Sequence, residues 1–288
     1  MIFKGVCTAL VTPFCQDGKI DYLALEKLIE FQIKNKVEAI VLLGTTGESS
    51  TIDKNERETL ITFAKRIINK RIKLIVGTGC NNTAKAIKLT QQAEILGADA
   101  CLVVSPYYNK CTQSGILAHY KQICACTNLP VIVYNVPSRT GVNILPETAK
   151  ELCQISNVDG FKEANGNIDH ILQLFSLVNK PIYCGNDNLN YIFHCLGATG
   201  TISVASNAYP QQVKLLFESF SNSKMLNLQL AKLCELLFVE PNPIPIKYIL
   251  SKKGLIGNFL RLPLTPLSTK FHNAINQEME RLENLWKF

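Results

Sequence analysis

Eight short apolar runs alternate with eight longer amphipathic stretches over the first 220 or so residues, and this rhythm limits the folds open to the chain. The runs are 5–11 (GVCTALV), 38–43 (EAIVLL), 73–78 (KLIVGT), 99–105 (DACLVVS), 130–136 (PVIVYNV), 158–162 (VDGFK), 181–185 (PIYCG) and 200–205 (GTISVA). Most are rich in Val, Ile or Leu and bounded by turn residues, as buried parallel strands are. Between them, residues 21–35, 54–69, 83–96, 114–126, 145–155, 168–178, 188–196 and 210–221 read as helices. In the first, Leu23, Leu25, Leu28, Ile29, Phe31 and Ile33 fall largely on one side, behind Asp21 as N-cap. Strict alternation implies parallel pairing. Eight units match a (β/α)8 TIM barrel, whose usual size is ~250 residues. An open doubly wound sheet would carry a Gly-rich phosphate loop after its first strand. Here TPFCQDGKID follows instead. Beyond it, 223–239 and 268–286 read as helices, with a shorter one in PNPIPIKYILSKKG between them. The expected organisation is a barrel over 1–222 and a C-terminal helical region over 223–288, taken to serve assembly.

Composition agrees with a large core: 47% of the 288 residues are hydrophobic and 18% charged, which argues against disorder and coiled coil. The net charge of +7 is scattered, with no basic block to serve as a nucleic-acid arm. The eleven cysteines are irregularly spaced with no C-x-x-C pair. His119, His170, His194 and His272 form no H-x-x-x-H pattern. Neither a zinc site nor a disulfide framework is expected. Many cysteines sit in apolar runs as small hydrophobes, which suits a reducing compartment. The N-terminus MIFKGVCTALVTPF lacks a signal-peptide pattern, and no apolar run reaches the ~18 residues of a membrane span. The expectation is a cytoplasmic protein without nucleic-acid or membrane partners.

Barrel chemistry sits at the C-terminal ends of the strands. Those ends read GTTGESS (44–50), GTGCNN (77–82), SPYYNK (105–110), YNVPSRTG (134–141), FKEANGN (161–167), GNDN (185–188) and SVASN (203–207). They offer hydroxyls, glycines, amides and Arg139, but no carboxylate pair, metal-ligand set or Ser-His-Asp grouping. Lys19 and Lys110 lie in polar loops and should stay hydrated and protonated. Lys162 alone lies within the end of an apolar strand. Burial disfavours an ammonium and frees the amine as a nucleophile, which can capture a ketone as an imine. The plainer reading is a lysine snorkelling out of a strand end. GTTGESS also has two readings. Its glycines can turn the chain while Thr and Ser cap a helix, or its N–H groups and hydroxyls can cradle a carboxylate. Tyr107, Tyr108 and Tyr134 can be ordinary packing tyrosines or a proton relay. Arg139 can be a surface charge or a bidentate carboxylate ligand.

Taken together, GTTGES (44–49), SPYYNK, YNVPSRTG, GFKEANGN (160–167), GND (185–187) and GTISVASN (200–207) resemble the dihydrodipicolinate synthase family, with similarity running from residue 3 to about 270. The resemblance implies a pyruvate-dependent, class I aldolase-type condensation in diaminopimelate and lysine biosynthesis. Lys162 would form a Schiff base with pyruvate. The backbone at Thr45 and Thr46 would hold its carboxylate, with Gly185 and Ile202 lining the pocket. Tyr134 would transfer protons, linked to solvent through Thr45 and Tyr108, the latter supplied across a subunit interface. Arg139 would bind L-aspartate 4-semialdehyde. No metal or organic cofactor would be needed. Relatives imply a homo-oligomer, a tetramer built as a dimer of tight dimers.

Sister enzymes, N-acetylneuraminate lyase and keto-sugar-acid aldolases, share fold and lysine. They carry an apolar residue where Arg139 stands and Ser where Thr45 stands, so both residues point to the synthase. An inactive barrel scaffold would be expected to have lost some of these groups, and a flavin- or phosphate-binding barrel would need a Gly-rich loop after its last strands. Lysine-inhibited members carry His, His and Glu at positions matching Lys54, Arg57 and Lys85. Ser49, Asn81 and Tyr107 are retained, but the three cations imply insensitivity to lysine.

Overall fold

The computed structural model describes residues 1–286; Lys287 and Phe288, the end of the expected C-terminal region, lie outside the described residues. Eight parallel strands close into one barrel, each pairing with its neighbour in sequence order and the last with the first. They are β1 (Gly5–Ala9), β2 (Ala39–Leu42), β3 (Lys73–Gly77), β4 (Ala100–Val104), β5 (Val131–Asn135), β6 (Val158–Glu163), β7 (Ile182–Cys184) and β8 (Gly200–Ser203). Each falls where an apolar run predicts it. The runs overshoot by a residue or two at most C-terminal ends, where the chain leaves the ladder to form the mouth. Closure of β8 on β1 is tight: a Cβ on Gly200 would lie 1.9 Å from the Gly5 carbonyl oxygen, so only glycine fits.

The helices are α1 (Tyr22–Lys34), α2 (Lys54–Ile68), α3 (Thr83–Ile95), α4 (Gln113–Cys124), α5 (Pro137–Thr140), α6 (Pro146–Leu152), α7 (Ile168–Leu177), α8 (Asn190–Cys195), α9 (Pro210–Glu218), α10 (Phe220–Leu236), α11 (Ile244–Lys252) and α12 (His272–Leu285). Asp21 caps α1 as predicted, accepting from the Ala24 N–H. Leu25, Leu28 and Ile29 of α1 are buried, whereas Leu23 faces solvent. The Thr and Ser residues of GTTGESS cap no α-helix. They form a tight turn and a 3-10 turn (Ser49–Thr51), and α2 is capped by Asp53 in a reciprocal box with Glu56. The one-turn helix α5 was not foreseen. Pro137 opens it at a preset φ and Gly141, at φ 70°, closes it.

Strand alternation divides the apolar residues into two layers. Inside the barrel pack Phe3, Cys7, Val41, Ile75, Leu102, Ile132, Tyr134, Tyr183 and Ile202. The larger cluster lies between strands and helices and runs on without a break into α10, α11 and α12. Residues Ile244 to Leu250 of α11 are all buried. The C-terminal helices therefore share the barrel's core, and α10 begins at Phe220, just before the anticipated boundary. All eleven cysteines are unpaired and seven are buried, consistent with their use as small hydrophobes. Among the described residues no helix is long and apolar enough to cross a membrane.

Candidate active site

Lys162 is the penultimate residue of β6 and projects into the barrel. Its register partners are Tyr134 on β5 and Tyr183 on β7. The residue is 6% exposed, and Nζ lies 4.3 Å from the centre of the Tyr134 ring. Gly185, just past β7, makes room for it: a Cβ there would meet Lys162 Cε, Ala164 Cβ and the Glu163 carbonyl, each at 3.0 Å. Below it, Ile202 is 1% exposed and pairs with Cys7 across β1 and β8. Burial pushes the Cys7 and Cys184 thiols well above the ordinary thiol range, so they remain neutral neighbours of Lys162. Lys19 is exposed beside Asp17, and Lys110 is exposed too.

The neighbouring carboxylate, Glu163, faces the other way. Adjacent strand residues point to opposite faces, and Glu163 is buried toward the helices. It accepts from Asn135 Nδ2 at 2.9 Å and from the Asn165 N–H at 2.6 Å, and faces His170 Nε2 at 3.1 Å. Asn143 joins by accepting from Asn135 Nδ2 at 2.8 Å. Asn135 and Glu163 are register partners one step beyond Tyr134 and Lys162. The network thus ties together the two strands that carry those side chains. Sequence reading missed this. Its one sequence signal is a polar residue immediately after each inward-facing group, in YN and KE.

The loop after β2 stands at the same C-terminal end of the barrel. Its turns use the N–H groups of Gly47 and Glu48, which donate to the carbonyls of Gly44 and Thr45. Among the described residues, no acceptor meets the main-chain N–H groups of Thr45 and Thr46. Thr12 Oγ1 pins the loop by donating to the Gly47 carbonyl at 2.7 Å. Glu48 has φ 51°, a left-handed conformation that a non-glycine residue keeps only when its surroundings enforce it. Those surroundings include Lys247 of α11, fully buried in an ion pair with Glu48, and the Arg261 N–H, which donates to Glu48 at 3.2 Å. Burial pushes the Lys247 ammonium down to about 8 against the opposing pull of Glu48. Lys247, too, escaped sequence reading.

Arg139 projects from α5 at the exposed rim, and its Nη2 donates to the Asn242 carbonyl at 3.1 Å. The Asn242 Nδ2 in turn donates to Thr46 Oγ1 at 2.9 Å. Tyr107 and Tyr108 behave differently. They are 37% and 91% exposed, and Tyr108, at φ 72°, pairs with neither Thr45 nor Tyr134 within one chain. Of the residues matched to a lysine cleft, Lys54 and Lys85 are exposed, and Ser49 and Asn81 half-buried. Arg57 is held inside: it is 5% exposed, and Nη2 donates to the Gly77 carbonyl at 2.7 Å. Burial lowers its guanidinium to about 10. Among the described residues no group of three or more His, Cys, Asp or Glu is placed to hold a metal ion.

At the C-terminal ends of the strands stand a buried amine against a phenol ring, a turn after β2 whose Thr45 and Thr46 N–H groups meet no acceptor among the described residues, and an arginine after β5. Comparison with known proteins places them in context. The model of the dihydrodipicolinate synthetase family matches residues 2–282. A relative from Alkaliphilus oremlandii, named 4-hydroxy-tetrahydrodipicolinate synthase, is 49% identical across 97% of this chain and 99% of its own. The dihydrodipicolinate synthase structure from Thermotoga maritima superposes with a TM-score of 0.95 at 44% identity, covering 98% of this chain and 99% of that one. A chloride-inhibited synthase from Acinetobacter baumannii, complexed with pyruvate, gives 0.95 at 41% identity, covering 97% and 98%. With the family model matching nearly the whole chain and relatives aligning over nearly all of both chains, this protein belongs to the dihydrodipicolinate synthetase family.

Proposed function

We propose that the chain condenses pyruvate with L-aspartate 4-semialdehyde to 4-hydroxy-tetrahydrodipicolinate. The single observation that carries this reading is Lys162: an amine buried at the end of β6 against the Tyr134 ring, with no carboxylate partner among the described residues. Its neutral amine attacks the C2 ketone of pyruvate and water leaves. The protonated imine draws electrons from the adjacent carbon, which loses a proton to give an enamine. The enamine carbon adds to the aldehyde of the second substrate. The amino group of that substrate then displaces Lys162 from C2, closing the ring and freeing the enzyme. Water leaves in the first step and is not regained, so the net reaction is that of a carbon–oxygen lyase. The lysine is itself the electron sink, and the chemistry asks for no other cofactor.

In this reading the Thr45 and Thr46 N–H groups bind the pyruvate carboxylate, and Gly185 and Ile202 bound the pocket. Tyr134, against the Lys162 amine, protonates the hydroxyl that leaves C2 as water and takes the proton from C3. Tyr108, exposed within one chain, completes the Tyr134–Thr45 relay in a neighbouring copy, so the active form is an oligomer, a tetramer of two tight dimers. Arg139 grips the carboxylate of the semialdehyde, the feature that favours the synthase over a sugar-acid lyase. The setting is biosynthetic and cytoplasmic. Borohydride added with pyruvate should reduce the imine and label the peptide bearing Lys162; a label elsewhere, or none, overturns the assignment. Arg139→Ala should raise the KM for the semialdehyde while hydride trapping of pyruvate persists.

Regulation is part of the same reading. Lysine brings two ammonium groups, and the matching positions carry the cations Lys54, Lys85 and Arg57. Like charges at ~4 Å cost about 1 kcal/mol even in water. Millimolar lysine is therefore expected to leave the steady-state rate unchanged; strong inhibition would refute this.

A further inference from the structure

The C-terminal region was expected to serve assembly, and one of its residues touches both binding elements of the proposed site. Asn242 lies in the Pro-punctuated turn before α11 and is 5% exposed. Its main-chain carbonyl accepts from Arg139 Nη2 at 3.1 Å, and its side-chain Nδ2 donates to Thr46 Oγ1 at 2.9 Å. Thr46 is itself 3% exposed. The other amide atom, Asn242 Oδ1, is buried without a partner among the described residues.

A hydroxyl has one proton and two lone pairs. Once Thr46 Oγ1 accepts from Asn242, one lone pair is taken, and the hydroxyl proton is free to point elsewhere. The adjacent N–H groups of Thr45 and Thr46 already favour an anion at this turn. We propose that Asn242 is a positioning residue: its amide turns the Thr46 O–H toward the keto-acid carboxylate, while its main-chain carbonyl steadies the Arg139 guanidinium. The two contacts use different parts of one residue, so side-chain substitution separates them. This inference rests on the pyruvate reading of the site.

The test is hydride trapping with pyruvate alone, followed by steady-state kinetics with both substrates. Asn242→Ala removes the amide and keeps the carbonyl. The pyruvate concentration for half-maximal trapping is expected to rise about 10-fold, the usual effect of losing one hydrogen bond to a charged group. The KM for aspartate semialdehyde should stay within about 2-fold, because the Arg139 partner is main chain. Asn242→Asp keeps the volume, draws the Thr46 proton toward itself and adds a negative charge beside an anionic substrate. It should weaken pyruvate capture more than alanine does, and it carries the test if the alanine variant fails to fold. Unchanged half-saturation in Asn242→Ala overturns the proposal. So does a parallel loss of both substrates, which a merely structural wall would give, or wild-type behaviour of Asn242→Asp. If the wild type traps no pyruvate, the proposed function itself fails, a result distinct from any of these.

Discussion

Among the described residues two lysines are buried, and their surroundings could hardly differ more. Lys162 stands inside the barrel against the Tyr134 ring, with two neutral thiols nearby and no paired carboxylate among the described residues. Lys247, in the C-terminal region, is buried still more completely. It pairs with Glu48, donates to the Phe259 carbonyl at 3.0 Å and sits 4.1 Å from the Phe14 ring centre, whose ring is also contacted by Arg261. Burial alone therefore does not mark a reactive amine. A buried lysine closed in by a carboxylate and a carbonyl is a strut. One left facing a ring can take a covalent partner. The strut has a purpose at a distance, since Glu48 is held left-handed in the same loop that carries Thr45 and Thr46.

The largest effect should come from exchanging function for stability at the two positions. Lys162→Ala is expected to lower turnover by ~10⁴-fold or more, equivalent to about 5.4 kcal/mol of barrier, and to abolish hydride trapping. Its unfolding midpoint in urea should stay near that of the wild type, because no ion pair is broken. Substantial residual turnover, or trapping at another residue, would break the contrast at its root.

Lys247→Met should do the reverse. It leaves Glu48 buried without its cation, and removing one partner of a buried pair costs about 3–5 kcal/mol. Chemical denaturation should show that loss, while the folded fraction still traps pyruvate on Lys162. Adding Glu48→Gln should restore much of the stability, because replacing both charges removes the orphan. If the double variant is no more stable than Lys247→Met, the ion pair is not what holds this loop.

The contrast also explains what could be read in advance. The eight strands were legible because a parallel strand in a barrel is buried on both faces, and a run of Val and Ile needs no knowledge of distant residues. Lys162 was legible for the same local reason: a charge ending an apolar strand stands out. Lys247 was not, because it sits among Lys252 and Lys253 in a helix whose polarity looks ordinary, and its partner Glu48 lies far away in the sequence. Asn242 and His170 were hidden for that reason too, since each acquires meaning only from what packs against it. The helix α5 was not foreseen because one turn is too short to show periodicity. The exposure of Tyr108 is informative only beside the resemblance that assigns it to a neighbouring copy.

The smallest expected effect is the pH dependence of the strut. Lys247 titrates near 8 in the folded protein, below its ordinary value of 10.5, because burial outweighs Glu48. Below about 8, folded and unfolded chains both carry the proton, and the full cost of the buried ammonium is felt. Between about 8 and ~10.4 the folded chain releases it first, so the unfolded chain holds more protons and the stability contributed by Lys247 rises with pH. Buried thiols and phenols oppose this: burial raises Cys101 to about 12 and pushes Tyr120 higher still, so the unfolded chain ionises first and stability falls. Those groups are common to wild type and Lys247→Met, so the difference between the two isolates the lysine. Denaturation at pH 8, 9 and 10 should show the wild-type advantage growing, by no more than about 1.4 kcal/mol per pH unit. A constant gap would mean that Glu48 keeps Lys247 charged throughout. A carboxylate in contact would then outweigh complete burial, and the lack of one would become the feature that chiefly separates Lys162 from the strut.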